Sequence, residues 1–128
     1  MTAVIATVTQ PVRRALIIED DEILAHVTRQ MVRRLGFDAA SETSPRAALQ
    51  RIYDGEHFDL VVCDFHMPEI DGPLVIAAIR AYHANRADLP VIVLTSGDDT
   101  EGCGANALLP KPYSSRDLRT LLDSLFDQ

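Results

Sequence analysis

Apolar residues in this chain fall in short unbroken runs, separated by stretches whose apolar positions return at helical spacing. Ala15-Leu16-Ile17-Ile18, Leu60-Val61-Val62-Cys63 and Val91-Ile92-Val93-Leu94 are the clear runs. Ala107-Leu108-Leu109 is a shorter one, and Phe37 to Ala40 a weaker one between the first two. A run apolar at successive positions, rather than alternate ones, belongs to a strand covered on both faces. The intervening stretches carry helix signals. Asp21 is placed to cap a helix with Leu24, Val27, Met31 and Leu35 on one stripe, closed by Gly36. Ser44-Pro45 reads as a cap and a first-turn proline, with Gly55 at the far end. Pro73 opens a third helix bearing Val75, Ile79 and Tyr82. Ser114 or Ser115 caps the last, whose apolar face is Leu118, Leu121, Leu122, Leu125 and Phe126.

Strands and helices in alternation predict an α/β domain, a parallel sheet wrapped by helices through right-handed crossovers. One connection breaks the pattern. Thr95 to Asn106 contains Gly97, Gly102 and Gly104, three acids and almost no large apolar side chain. It is just long enough for a crossover but lacks an amphipathic stripe, so a loop or a single turn is expected there.

The length of 128 residues allows one domain. Residues 1–13 read as an N-terminal tail without the basic start and apolar run of a secretory signal, and 14–128 as the domain. A formal charge of −7 argues against direct nucleic-acid binding and against an anionic membrane surface. No segment is long and apolar enough for membrane insertion. Two cysteines, Cys63 and Cys103, make no disulfide framework, which fits a reducing cytoplasm.

The chemistry lies just beyond the end of each strand: Glu19-Asp20-Asp21 after the first run, Asp64 after the second clear one, Thr95-Ser96 after the third and Lys111 after the fourth. The carboxyl ends of parallel strands share one edge, where ligands bind. Carboxylates gathered there repel one another, and a hard divalent cation such as Mg²⁺ relieves that repulsion. A carboxylate is also a nucleophile towards phosphorus, with metal, lysine and hydroxyl stabilising the charge that develops on the phosphoryl oxygens. The set reads as an aspartate phosphorylation site.

These residues carry a family resemblance. Leu16-Ile17-Ile18-Glu19-Asp20-Asp21-Glu22, Asp64-Phe65-His66-Met67-Pro68-Glu69-Ile70-Asp71-Gly72, Thr95-Ser96-Gly97 and Lys111-Pro112 together resemble the receiver domain of two-component response regulators. The resemblance implies a flavodoxin-like, doubly wound sheet of five parallel strands in the order 2-1-3-4-5, helices on both faces, and here a fourth helix that is short or absent. It implies that Asp64 is the phosphoacceptor, that Asp20 binds Mg²⁺ directly, and that Glu19 binds it through water or orients it. The backbone carbonyl of His66 would be a further metal ligand, Thr95 the switch hydroxyl, and Lys111 the partner of a phosphoryl oxygen. It also implies a cis Lys111–Pro112 bond. Leu108 stands where the family commonly has an aromatic residue, and with the fourth helix short or absent, readout is expected through ordering of the connection from Ser96 to Ala105.

The implied partners are a histidine kinase or histidine phosphotransfer protein as donor, and a downstream protein bound by contact. The implied activity is only slow self-phosphorylation and dephosphorylation. Two rivals are an aspartyl-phosphate phosphatase, which usually needs an acid where His66 stands, and a pseudo-receiver that only binds partners. Plainer expectations complete the reading. Asp21 is a cap rather than a ligand, and the His66 side chain plays no metal or catalytic part. His26, His57 and His83 face solvent, Cys63 is a buried inert thiol, and Cys103 is loop-borne and more reactive. Asp98, Asp99 and Glu101 form a solvated acidic loop.

Overall fold

The computed structural model describes residues 11–97 and 104–126. Five strands, β1 (Arg14–Ile18), β2 (Asp38–Glu42), β3 (Leu60–Asp64), β4 (Val91–Ser96) and β5 (Ala107–Pro110), form one parallel sheet in the order β2-β1-β3-β4-β5. The described helices are α1 (Glu22–Arg34), α2 (Pro45–Tyr53), α3 (Gly72–Tyr82) and α4 (Ser115–Leu125). The expected sheet and strand order are present. β2 lies slightly later than the Phe37–Ala40 run suggested.

Alternation of side chains along each strand divides the apolar runs into two cores. Leu16, Ile18, Val61, Cys63, Ile92 and Leu94 pack with α2 and α3. Ala15, Ile17, Leu60, Val62, Val93 and Leu109 pack with Val32 of α1 and with Leu118 and Leu122 of α4. Strands sandwiched in this way have no polar face, which is why their sequences read as continuous apolar runs. Each buried Leu or Ile contributes roughly 1.5–3 kcal/mol relative to exposure.

The caps follow the sequence signals. The Asp21 side chain accepts from the Ile23 and Leu24 amides, Ser44 from Ala47 and Asp71 from Leu74. Ser114 and Asp117 form a reciprocal capping box. Gly36 and Gly55 both adopt φ near +97° beyond their helices.

Three expectations meet a different outcome. α1 buries Ala25, Thr28 and Val32, while Val27 is exposed, so its inward face lies one residue round from the expected stripe. Two of the three buried positions are an alanine and a threonine, so apolar content alone does not reveal this face. His83 is buried rather than solvent-facing: it ends α3, and its Nδ1 donates to the Ile79 carbonyl at 2.9 Å. The expected loop or short helix between β4 and β5, with Asp98, Asp99, Glu101 and Cys103, falls on residues 98–103, outside the described residues, as does most of the N-terminal tail.

Gly72 fixes how closely α3 approaches β3. Its N–H donates to the Phe65 carbonyl at 2.8 Å. A Cβ at this position would stand 2.4 Å from the Asp64 carbonyl oxygen and 2.8 Å from the Phe65 Cα, both backbone atoms. At Gly36 a Cβ would meet nothing within 4 Å, leaving only the positive φ as a penalty. Gly72→Ala is therefore expected to cost roughly 2–4 kcal/mol of stability, and Gly36→Ala only about 1 kcal/mol. Urea unfolding of the two variants checks the order.

Candidate functional site

The two-residue alternation that fills the core also builds the site. On the sheet face covered by α1 and α4, the core rows are Ile17, Val62, Val93 and Leu109. Two positions further along each strand come Glu19, Asp64, Thr95 and Lys111. The register sets Asp64 beside Thr95 and Ser96 beside Pro110. Four segments distant in sequence thus deliver polar groups to one place at the carboxyl edge.

The Lys111 Nζ donates to Glu19 Oε1 at 2.8 Å and to Asp64 Oδ1 at 3.0 Å. Glu19 and Asp64 are 3% and 4% exposed, so a charged pair sits at the top of an apolar core. Carboxylate oxygens of Glu19, Asp20 and Asp64 lie within 4.8 Å of one another, with Asp20 on the solvent side. One ammonium against three carboxylates leaves the cluster short of positive charge. An all-oxygen donor set of this kind fits a hard divalent cation better than the softer metals that prefer thiolate or imidazole.

Backbone hydrogen bonds hold each tip. The Glu19 N–H donates to the Glu42 carbonyl at 3.2 Å, Phe65 to Thr95 at 2.8 Å and Lys111 to Ser96 at 2.7 Å. The Asp21 N–H donates to Glu19 Oε2 at 3.2 Å, so Asp21 serves Glu19 as well as α1. Thr95 and Ser96 are buried. The Lys111–Pro112 bond is cis. It leads to Tyr113, whose hydroxyl lies 2.6 Å from the Thr28 Oγ1. That contact ties the lysine-bearing loop to α1.

The electrostatics follow from burial. Desolvation pushes the Glu19 carboxyl up to about 7, aided by the Asp64 charge and opposed by the hydrogen bonds from Lys111 and Asp21. Burial works against the Lys111 charge, but its bonds to Glu19 and Asp64 outweigh that and raise its pKa. Burial also raises Tyr113, and raises the Cys63 thiol strongly, which suits the expected inert cysteine.

The structure brings Glu19, Asp20, Asp64 and Lys111 together, with Thr95 in register beside Asp64. His66 lies on the exposed loop after β3, its ring edge-on to Phe65. Leu108 belongs to the other sheet face, packed against the α2–α3 core. Sequence reasoning missed the Thr28–Tyr113 contact. A hydroxyl between Ala25 and Val32 on the inward face of a helix, with a tyrosine after Lys-Pro, was the available signal.

A parallel five-stranded sheet in this order, with acids and a lysine meeting at its carboxyl edge, defines a class of α/β signalling domain. The chain belongs to the response regulator receiver domain family, matching it over residues 15–123. It is 35% identical over 109 residues to the sensory transduction protein RegX3 of Mycobacterium tuberculosis, a match that takes in 80% of this chain and 46% of that protein. The chain thus spans about half the length of that relative. It is 29% identical over 122 residues to the chemotaxis protein CheY-3 of Vibrio cholerae, covering 90% of this chain and 92% of that one. Among solved structures, a putative response regulator from Chloroflexus aurantiacus aligns with a TM-score of 0.77 at 28% identity, over 89% of this chain and 97% of that one. The Vibrio cholerae protein CheY4 aligns with a TM-score of 0.80 over 90% and 99%, at 18% identity, a likeness of fold alone.

Charge imbalance predicts opposite effects for two substitutions in metal-free protein. Asp64→Asn removes one of the crowded negative charges and is expected to stabilise by on the order of 1 kcal/mol. Lys111→Met strands Glu19 and Asp64 and is expected to destabilise by roughly 1–3 kcal/mol. Between the ordinary carboxylate value of 4.5 and about 7, folded chain holds a proton on Glu19 that unfolded chain has lost. Stability with chelator present therefore falls as pH rises across that window. Urea midpoints across the window, with and without chelator, measure all three effects.

Proposed function

We propose that this receiver domain accepts a phosphoryl group on Asp64 from a histidine kinase or histidine phosphotransfer protein, with Mg²⁺, and signals by protein–protein contact in the cytoplasm. The observation that carries the reading is the Lys111 ammonium shared between Glu19 and Asp64 beside Asp20. Glu19, Asp20, Asp64 and the His66 backbone carbonyl would hold the cation. Bound there, Mg²⁺ supplies neutralising charge to the carboxylates and the incoming phosphoryl oxygens.

The chain's own groups divide the rest of the work. An Asp64 carboxylate oxygen attacks phosphorus as the phosphorus–nitrogen bond of the donor phosphohistidine breaks, and the departing imidazole takes a proton from solvent. Lys111, released from Asp64, pairs with a phosphoryl oxygen. Thr95 donates its hydroxyl to another, which links phosphorylation to the end of β4. Attack of water on phosphorus later returns Asp64 as a free carboxylate, slowly. Residues 14–128 form the receiver unit in this reading.

Incubation with acetyl phosphate and Mg²⁺, followed by intact-mass measurement, is expected to show a gain of one phosphoryl group. The gain should vanish in Asp64→Asn and with excess chelator. Steady turnover of small phosphomonoesters would instead make the chain a phosphatase. No gain in any condition would leave an interaction module.

A further inference from the structure

Three of the eleven arginines form ion pairs with acids among the described residues, and Arg13, Arg29, Arg33, Arg80 and Arg86 are held by uncharged groups or an aromatic ring. Arg14 and Arg51 hold Glu56, Arg51 also holds Glu42, and Arg46 holds Glu69. Arg34, Arg116 and Arg119 have no carboxylate partner among the described residues, although the chain carries a net charge of −7. All three line one groove between the end of α1 and the start of α4, with Met31 and Leu35 between them. Helical spacing explains the grouping: positions 31, 34 and 35 share one face of α1, and 116 and 119 one face of α4.

The groove continues past Arg34, Leu35 and Arg119 into a second hollow, where Arg13 joins the rim above Phe37 and Leu122. Asp123 also lines that hollow, and among the described residues it forms no ion pair with these arginines. Like charges gathered on a mainly acidic protein repel one another and gain most from an incoming anion.

We propose that the α1–α4 groove docks an acidic amphipathic segment of a partner protein. Its apolar side chains rest on Met31 and Leu35, and its carboxylates pair with Arg34, Arg116 and Arg119. The apolar floor favours a peptide over a nucleic-acid backbone, which offers phosphates but nothing to lay on Met31 and Leu35. The net charge of the chain disfavours a long polyanion further. Residues 1–10 carry no acidic side chain and so cannot satisfy the arginines. The surface is separate from the Asp64 site, so its test stands or falls independently of phosphorylation.

The test uses the whole unphosphorylated protein and a synthetic amphipathic helix of about four turns, leucine on one stripe and glutamate on both flanks. Fluorescence anisotropy is expected to show binding that weakens with added salt. Backbone amide shifts in NMR should centre on Met31, Leu35 and Arg119. The double variant Arg34→Glu with Arg119→Glu should bind about tenfold or more weakly. It should keep its circular dichroism, its unfolding temperature and its phosphorylation by acetyl phosphate. A charge-reversed peptide with lysine flanks should prefer the variant to the parent.

The proposal is overturned if the double variant binds the glutamate peptide as well as the parent, or if the shifts map elsewhere. It is also overturned if a glutamine-flanked peptide binds equally well, or if single-stranded DNA binds the groove more tightly than the peptide. Self-association lost in the double variant would assign the groove to a second copy. A large gain in peptide affinity on removing residues 1–10 would assign it to that segment.

Discussion

One ammonium group, Lys111 Nζ, joins two nearly buried carboxylates at the carboxyl edge of the sheet, and each surrounding element constrains one of those three side chains. Glu19 is held by the backbone bond from its own amide to β2 and by the Asp21 amide on its side chain. Asp64 ends a fully buried strand, under the close approach of Gly72. Lys111 comes directly after β5 and precedes the cis peptide bond and the Tyr113 contact with Thr28. A shift of one residue in any strand would turn its tip side chain to the opposite sheet face and disperse the group.

The two ends of the sheet treat charge in opposite ways. Near the strand beginnings, Glu56 receives hydrogen bonds from Arg51 and Arg14, and the Arg51 guanidinium leads in bringing its carboxyl down to about 2. That cluster is compensated. At the carboxyl edge, Asp20 adds a third acid to a pair already sharing a single lysine, and burial brings Glu19 up to about 7. Crowded carboxylates of this kind cost stability in the bare protein. A bound divalent cation would offset that repulsion, which is the role the proposed reading gives it.

Much of the fold was legible because strands buried on both faces leave little ambiguity. Apolar runs at Ala15, Leu60 and Val91 and the caps Asp21, Ser44 and Ser114 predicted the elements within a residue or two. The site residues were legible for a related reason. Parallel strands share one carboxyl edge, so Glu19, Asp20, Asp64, Thr95 and Lys111 were placed by the positions of the runs alone. The inward face of α1 was not legible, because two of its buried residues, Ala25 and Thr28, are small or polar, and Thr28 is held by its hydroxyl contact with Tyr113. His83 was missed because its burial depends on its own α3 carbonyl accepting the ring N–H.

Local sequence thus determined which segments are strands, which are helices and which polar residues end them, since those depend on periodicity and capping among near neighbours. Tertiary structure decided which acids the lysine touches, why residue 72 lacks a side chain, and which arginines have no carboxylate partner among the described residues. Those facts depend on distances between segments far apart in the chain, which no local pattern encodes.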